Sequence, residues 1–239
     1  DRTAVRVPAL PPPNSGALCW QHAITCFVCA SCHHAALMWC WWSKAVCSGC
    51  KRLLMQAVIR DAIIHTMQEL RIQQHFIDSA DLKYKAAQML SKPIAEGIAA
   101  LLACVTSGGK VLACGNGGSA ADAQHFAADF VGRFERERPE LAAIALSTDS
   151  SILTAIANDY NFDVIFSKQV RALGTPGDVL LAIGTSGNSA NVLAAVQAAH
   201  ERDMTIIALT GRGGGKMAQA LRETDVHICV PHERTARIQ

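Results

Sequence analysis

Two short loops rich in glycine and hydroxyl residues hold the residue types best suited to chemistry in this sequence. The first loop is residues 115–119 (GNGGS), and the second loop is residues 184–189 (GTSGNS). Glycine lets backbone N–H groups approach an anion without a side chain in the way, and the start of a helix adds partial positive charge. The hydroxyls of Thr185, Ser186 and Ser189 can donate further hydrogen bonds. Both loops therefore favour the capture of a phosphorylated ligand.

A structural interpretation of the same loops competes with phosphate binding. Glycine and serine also form tight turns and helix caps, and Ser119 and Asn188 are suited to capping. One loop alone would favour this interpretation, whereas two loops on successive units of one sheet favour a phosphorylated ligand. Neither loop has the GxxxxGK(S/T) or GxGxxG pattern, so binding of a nucleoside triphosphate or a dinucleotide is disfavoured.

A histidine and a carboxylate follow the first loop at helical spacing. His125 and Asp129 are four residues apart in a predicted helix over residues 119–134, so they project from one face. Such a pair can ligate a metal or transfer a proton, and desolvation in a closed site can bring the pKa of a carboxylate toward neutrality. An ordinary helix histidine beside a solvated surface acid is the alternative.

The elements that must position these residues alternate from residue 110 onward. Five runs rich in Val, Ile and Leu read as strands, and their near-continuous apolarity is typical of a parallel sheet. The predicted strands are residues 110–114, 142–146, 178–183, 205–210 and 226–231. The predicted helices between them are residues 119–134, 150–157, 163–173, 190–202 and 214–221. This alternation predicts an α/β fold, a doubly wound three-layer αβα sandwich with a five-stranded, mainly parallel sheet.

Two predicted helices, residues 68–90 and 93–105, precede the first strand. They have no strand of their own, so their apolar stripes must pack on the sheet or on another copy of the chain, which predicts a homo-oligomer. Ligands of open α/β sheets bind beyond the carboxyl ends of the strands. Both glycine-rich loops follow a predicted strand at that end.

Residues 1–66 differ in composition from the rest of the chain. They hold six of the 22 Lys and Arg but only two of the 20 Asp and Glu, with seven of the ten cysteines and all four tryptophans. We expect this part to be a non-native or disordered extension, with Met67 as the native start and residues 67–239 as the folded domain. The formal net charge of +2 gives no argument for a protein that binds nucleic acid directly.

Two cysteine pairs in the extension have the spacing of a metal site. Cys29-x-x-Cys32 and Cys47-x-x-Cys50 are separated by fourteen residues, which is close to the spacing of a four-thiolate zinc site. Three further cysteines nearby stay unused, and the glycines that turn a zinc knuckle are scarce. A membrane anchor is a weak alternative, because histidines interrupt the apolar run, and no membrane partner is expected.

The stretches CGNGGSAADAQHF and GTSGNSANV resemble the sugar isomerase (SIS) domain family. More closely, they resemble the subgroup of phosphoheptose isomerases and DnaA initiator-associating proteins. The resemblance extends over residues 67–239, with supporting stretches at RFERERP, AIANDY, SKQVRALG and IIALTGRGGG. It implies an aldose–ketose isomerase that converts sedoheptulose 7-phosphate to D-glycero-D-manno-heptose 7-phosphate through an enediolate, for the heptose of lipopolysaccharide.

The resemblance also implies roles for particular residues. The second loop would hold the phosphate of a seven-carbon sugar, and His125 and Asp129 would be catalytic. One zinc ion per subunit would be bound by His125, Asp129 and Gln239. The implied substrate-binding residues are Asn116, Gly117, Gly118, Ser119, Asn158, Asp159, Thr185, Ser186, Ser189 and Gln239.

The implied assembly is a cytoplasmic homotetramer. A reducing compartment suits the three cysteines of residues 67–239, which are Cys104, Cys114 and Cys229, because all three fall inside predicted elements as small buried residues. His227 and His232 fall at the last predicted strand, and they are interpreted as strand-end residues and not as catalytic groups.

The chain departs from the isomerase pattern at three places. Asp129 stands where the isomerases have glutamate, which keeps the carboxylate but shortens its reach, and the initiator-associating relatives have no acid there. Gly184 replaces a loop serine. The sequence ends at Gln239, before a C-terminal helix that carries a further catalytic histidine, so we expect a truncated domain that lacks one catalytic group and can be inactive in this form. The alternative function is a non-catalytic scaffold that binds the replication initiator DnaA.

Overall fold

The computed structural model describes residues 48–239, and the chain divides into two compact units, residues 1–71 and residues 72–239. The first helix, α1 (Ser48–Thr106), begins in the first unit and ends in the second. The cysteine pairs of the extension fall almost entirely within residues 1–47, outside the described residues. The proposed domain boundary at residue 66 stays a prediction.

Five parallel strands form the sheet of the second unit. They are β1 (Val111–Gly115), β2 (Ala143–Ala145), β3 (Val179–Gly184), β4 (Thr205–Thr210) and β5 (Val226–Cys229). The spatial order is β2-β1-β3-β4-β5, and every neighbouring pair is parallel. From β1 the chain moves outward to β2 at one edge of the sheet. It then crosses back to β3, which is the neighbour of β1 on the opposite side from β2. The space above β1 and β3 is therefore the topological switch point of the fold.

Helices cover both faces of this sheet. After α1 they are α2 (Gly118–Val131), α3 (Ser150–Asp159), α4 (Ile165–Leu173), α5 (Ala190–Glu201), α6 (Gly215–Ala220) and α7 (Thr235–Ile238), with 3₁₀ turns at Phe162–Val164 and Arg212–Gly214. Leu112 and Cys114 of β1 join a core cluster with α4 and α5. Val111 and Ala113 join the opposite cluster with α1 and α2. The predicted three-layer αβα sandwich is confirmed, because alternate residues of a strand face opposite layers.

The prediction of two separate helices before the first strand is wrong. α1 runs without interruption through Pro93, and it already begins at Ser48, upstream of Met67. Leu82, Leu90, Gly97 and Cys104 are buried, and Pro93 lies half-buried between them. The spacing of these residues keeps one stripe in phase on both sides of the proline. Packing of this stripe on the sheet outweighs the hydrogen bond that proline cannot make.

By length and apolar content, one helix in the described residues could cross a membrane, within Met55–Thr106 of α1. The carboxyl half of that range carries the buried stripe that packs on the sheet.

Cys104 and Cys114 are buried free thiols. Burial raises the pKa of the Cys114 thiol to about 12, so the thiol stays protonated and packs as a small apolar side chain.

A buried ion pair fixes the amino end of β3. The Asp178 carboxylate accepts hydrogen bonds from the backbone N–H and the ammonium of Lys110, at 2.9 and 2.6 Å, and from the N–H and hydroxyl of Thr175, at 2.8 and 2.9 Å. Burial alone would raise the pKa of the Asp178 carboxyl. The hydrogen bonds from Lys110 and Thr175 outweigh burial, and the pKa lies below its usual range.

We expect Asp178→Asn to lower the free energy of unfolding by about 3 kcal/mol at neutral pH, because it leaves the partly buried ammonium of Lys110 without its counterion. A folded-state pKa that is lowered contributes stability that is fully present above the unfolded pKa of about 4 and is lost progressively as the pH falls from there through the folded-state pKa. Urea unfolding near neutral pH and at about pH 3 should therefore show a smaller difference between variant and wild type in acid.

The exposed Asp81, on α1, provides the control for this experiment. Asp81→Asn should leave both unfolding curves close to wild type, because surface substitutions usually change stability by less than about 0.5 kcal/mol. A difference between Asp178→Asn and wild type that stays the same at both pH values would contradict the role of the ionised carboxylate.

Candidate functional site

The first and second loops lie side by side at the carboxyl edge of the sheet. β1 and β3 are hydrogen-bonded neighbours, and their register pairs Gly115 with Ile183. The first loop leaves β1 and the second loop leaves β3, so parallel pairing brings both to the switch point. Each loop continues into a helix, α2 or α5, whose amino end faces this edge.

A reciprocal pair of carboxamides connects the first loop to α5, the helix that follows the second loop. Asn116 Nδ2 donates to Asn191 Oδ1 at 2.8 Å, and Asn191 Nδ2 donates to Asn116 Oδ1 at 2.9 Å. Asn191, in the first turn of α5, is only 3% exposed. Each amide spends one donor and one acceptor on the pair and keeps one N–H free. The sequence predicts a role for Asn116 but not for Asn191, since an asparagine in a helix carries no local signal of a partner 75 residues away.

The second loop keeps hydroxyl donors available for a ligand. Within the described part of the chain, the hydroxyls of Thr185 and Ser189 make no hydrogen bond to protein atoms. Ser189 is the N-cap residue of α5, yet its side chain makes no capping bond. The expectation that Asn188 caps this helix is wrong, because its side chain bonds to the carbonyl of Ser186 and to the backbone N–H of Lys216. The hydroxyls of Thr185 and Ser189 therefore stay available in the loop that leads to the amino end of α5, where an anion site requires donors.

The first loop is supported from the end of the chain. Gln239 Nε2 donates to the hydroxyl of Ser119 at 3.0 Å, which places this predicted site residue at the start of α2. Ser119 is 3% exposed and lies inside α2, so the expectation that it caps the helix is wrong; Gly117 occupies the cap position. Gly117 and Gly118 are both exposed.

α7, which precedes Gln239, is anchored on α1. Arg237 donates to the Nδ1 of His75 at 3.0 Å and lies 3.9 Å from the Asp78 carboxylate. This contact holds the last helical turn against the domain. The position of Gln239 beside Ser119 follows from it.

His125 and Asp129 form the predicted pair on α2. His125 Nε2 and Asp129 Oδ2 are 3.5 Å apart, with the two side chains 79% and 34% exposed. The end of the same helix is fixed by Arg138, whose guanidinium donates to the carbonyls of Asp129, Phe130 (2.9 Å) and Pro139 (3.0 Å). The helix therefore presents an imidazole and a carboxylate together on one face, a composition able to transfer protons or bind a metal.

Comparison with known proteins gives the family. A model described as "SIS domain" matches residues 75–211. A phosphoheptose isomerase of Methylibium petroleiphilum is 76% identical over 173 residues, which cover 72% of this chain and 86% of that protein. One of Dechloromonas aromatica is 63% identical, over 71% of this chain and 86% of that protein. The chain belongs to the SIS domain family.

Solved structures agree with this assignment and narrow it to the phosphoheptose isomerases. The isomerase GmhA of Neisseria gonorrhoeae has a TM-score of 0.68 at 59% identity and covers 71% of this chain and 89% of its own. A phosphoheptose isomerase of Francisella tularensis has the same TM-score at 45% identity, over 70% of this chain and 88% of its own. The resemblance stated from the loop motifs is confirmed, and this SIS domain is an enzyme of the sugar-phosphate isomerase class.

Two predicted substrate residues of the SIS domain lie apart from this hydrogen-bond network. Asn158 and Asp159 end α3, both are exposed, and Asn158 Nδ2 donates to Asp159 Oδ1 at 2.9 Å. In the described residues no hydrogen bond joins them to either loop. Their predicted role in sugar binding stays a prediction.

We expect Asn191→Ala to lower the free energy of unfolding by about 2 kcal/mol, because it removes both bonds of the amide pair and leaves Asn116 partly unsatisfied. Amide hydrogen exchange of residues 115–119 should accelerate, since the first loop loses its connection to α5. Urea unfolding and exchange measured by mass spectrometry test the two effects.

Asn158→Ala is the matched control, because its only side-chain bond in the described structure is to the neighbouring exposed Asp159. It should change the free energy of unfolding by less than about 0.5 kcal/mol and leave exchange in the first loop unaffected. Equal exchange at residues 115–119 in both variants would show that the amide pair does not hold the loops together.

Proposed function

We propose that this SIS domain converts sedoheptulose 7-phosphate to D-glycero-D-manno-heptose 7-phosphate in the cytoplasm, supplying the heptose of lipopolysaccharide. The observation that carries the proposal is the Asn116–Asn191 pair, which joins a hydroxyl-rich anion loop to the loop that starts α2. One ligand can then contact both loops at once. The relatives that are 63–76% identical are phosphoheptose isomerases, which agrees with a seven-carbon sugar phosphate as the substrate.

The second loop would bind the phosphoryl end of the substrate. Its free hydroxyls, on Thr185 and Ser189, and the backbone N–H groups at the start of α5 are donors suited to phosphate oxygens. The twelve residues of α5 place the positive end of a helix dipole at the same point. Binding at this remote end orients the reacting end of the sugar toward the first loop and α2, and such orientation lowers the activation barrier.

The pair on α2 would carry out proton transfer. Asp129 would remove a proton from C1 of the ketose to form an enediolate, and the proton would return to C2, while the hydroxyl proton passes from O1 to O2. The carbonyl thereby moves from C2 to C1. His125, 3.5 Å from Asp129, would donate to the oxygen on which negative charge develops and hold the carboxylate in place. The free N–H of Asn116 can orient a sugar hydroxyl.

Zinc is proposed at the same pair. In the described part of the chain, no group of three or more His, Cys, Asp or Glu is arranged to hold a metal. His125 and Asp129 would supply two ligands, and the carboxamide oxygen of Gln239, which accepts no hydrogen bond from the described residues, would be a third, whereas tetrahedral zinc takes four. When bound, one zinc ion per subunit would polarise the substrate carbonyl as a Lewis acid.

We propose a homotetramer as the assembly. Large apolar side chains of α1 stay exposed along the length of the helix, which is a property of helices that pack against another chain. They include Ile72, Phe76, Ile77, Tyr84, Met89, Ile98 and Leu102.

We expect the wild-type chain to turn over sedoheptulose 7-phosphate, and His125→Ala and Asp129→Asn each to lower kcat at least about 100-fold, because a positioned proton-transfer group contributes that much or more. Asp129→Glu keeps the carboxylate and should retain turnover. Product is followed as aldose 7-phosphate by chromatography of the quenched reaction.

The first helical turns of α1 offer a matched control. Asp61 and His65 are also an acid and a histidine four residues apart on a helix, both exposed, and both lie outside the SIS match. Asp61→Asn and His65→Ala should leave kcat unchanged. Turnover that is unchanged in His125→Ala and Asp129→Asn would contradict their catalytic role, and a wild-type chain that binds the initiator DnaA and gives no turnover would favour the alternative of a non-catalytic scaffold.

We expect zinc to bind with one ion per subunit and His125→Ala to weaken binding at least about tenfold, because a neutral imidazole is among the preferred ligands of zinc. Isothermal titration of Zn²⁺ into the two proteins measures this without reference to activity, with His65→Ala as the control. Equal affinities for wild type and His125→Ala would place any zinc site elsewhere.

A further inference from the structure

A glycine-rich loop after β4 packs directly against the second loop. Its residues 211–217 read GRGGGKM, a motif that contributes to the family resemblance but has no function assigned so far. The backbone N–H of Gly211 donates to the carbonyl of Thr185 at 3.1 Å, and that of Met217 donates to the carbonyl of Gly187 at 2.9 Å. These bonds connect both ends of the glycine-rich loop to the backbone of the second loop.

Asn188 supplies the third connection. Its Oδ1 accepts a hydrogen bond from the backbone N–H of Lys216 at 3.0 Å, and its Nδ2 donates to the carbonyl of Ser186 at 3.0 Å. The backbone N–H of Asn188 also donates to the Ser186 hydroxyl at 3.3 Å. The exposed carboxamide of Asn188 therefore links the backbone of Lys216 to Ser186, whose hydroxyl is expected to bind phosphate.

The two loops approach so closely that no side chain fits between them. Gly215 has a positive φ of 54°, and a Cβ added to it would lie 2.5 Å from the carbonyl oxygen of Ser186 and 2.7 Å from Asn188 Oδ1. A Cβ on Gly187 would likewise overlap the carbonyl of Gly214. Gly213 differs, since it has a positive φ of 69° but nothing within 4 Å of an added Cβ.

We infer that Gly211 and residues 214–217 form a brace that holds Thr185–Asn188 in the conformation that accepts a phosphoryl group, so that Gly215 and Asn188 are positioning residues for phosphate affinity. This role rests on the proposed function. The physical basis is preorganisation: donors held in place before the ligand arrives bind it without a further entropic cost. Loss of the brace should weaken binding of the phosphorylated end and leave proton transfer on α2 nearly unaffected.

The test compares Gly215→Ala with Gly213→Ala. Both substitutions put alanine at a positive φ, but the backbone strain is larger at Gly215, whose ψ of −143° lies outside the left-handed helical region, than at Gly213, whose ψ of 8° lies near it, so Asn188→Ala is needed beside this pair. Only Gly215→Ala pushes against Ser186 and Asn188. We expect Gly215→Ala to raise the KM for sedoheptulose 7-phosphate and the inhibition constant of inorganic phosphate at least about tenfold, with kcat changed less than about threefold. Gly213→Ala should match wild type in all three quantities.

Asn188→Ala guards against a folding defect in Gly215→Ala. The side chain is exposed, so its removal should leave the circular dichroism spectrum and the melting temperature near wild type. It breaks the link between Lys216 and Ser186, and it should raise the same KM and inhibition constant in the same direction. The brace would be overturned if Gly215→Ala and Asn188→Ala had the same KM and the same inhibition constant of phosphate as Gly213→Ala. A decrease of kcat alone, with both constants unchanged, would also overturn it.

Titration of inorganic phosphate into each protein separates this inference from the proposed function. Phosphate that binds wild type and Gly213→Ala but binds Gly215→Ala at least about tenfold more weakly supports the brace, even if the wild type does not convert sedoheptulose 7-phosphate. Phosphate that binds all proteins equally overturns the brace, even if the wild type is an active isomerase. Phosphate that binds none of them, the wild type included, overturns both.

Discussion

The Asn116–Asn191 amide pair is the interaction on which the candidate site depends. Parallel pairing of β1 and β3 brings the two loops to one edge of the sheet, but it fixes only the strands. The amide pair fixes the residues beyond the strands by two hydrogen bonds, of 2.8 and 2.9 Å. Asn191, one of the two partners, is nearly inaccessible to water. Buried amides must be satisfied, so the pair ties the loop that leaves β1 to the helix that follows the second loop.

Each loop is then supported from a different side. The residues after β4 hold the second loop through backbone bonds and through Asn188, and Gln239 holds the first loop through Ser119. These supports come from segments far apart in the chain, and most use backbone groups or carboxamides in place of charged side chains. These supporting groups are neutral, so they add no net charge near a bound ligand. An anion would be bound by hydrogen-bond donors whose positions are set by the fold.

The sequence allowed prediction of those parts of the site that depend on local order. The strands, both loops and the His125–Asp129 spacing follow from apolar runs, glycine content and helical periodicity, which are properties of neighbouring residues. Asn191 and the brace residues could not be predicted in the same way, because their partners lie in other loops. Pro93 gives the opposite case. A local rule predicts a break in the helix there, but α1 continues, because the apolar stripe stays in phase on both sides of the proline and packs on the sheet.

Exposure of the pair on α2 adds a constraint on how the proposed reaction can proceed. The side chains of His125 and Asp129 are 79% and 34% exposed, so both proposed proton-transfer groups are in contact with water. Proton abstraction beside a carbonyl is favoured where water is excluded, because electrostatic stabilisation of the enediolate is stronger in a low-dielectric site. Cover must therefore come from the bound sugar or from a second copy of the chain. The exposed apolar side chains along α1 would give that second copy a surface to pack on, so the proposed assembly and the proposed catalysis would be linked.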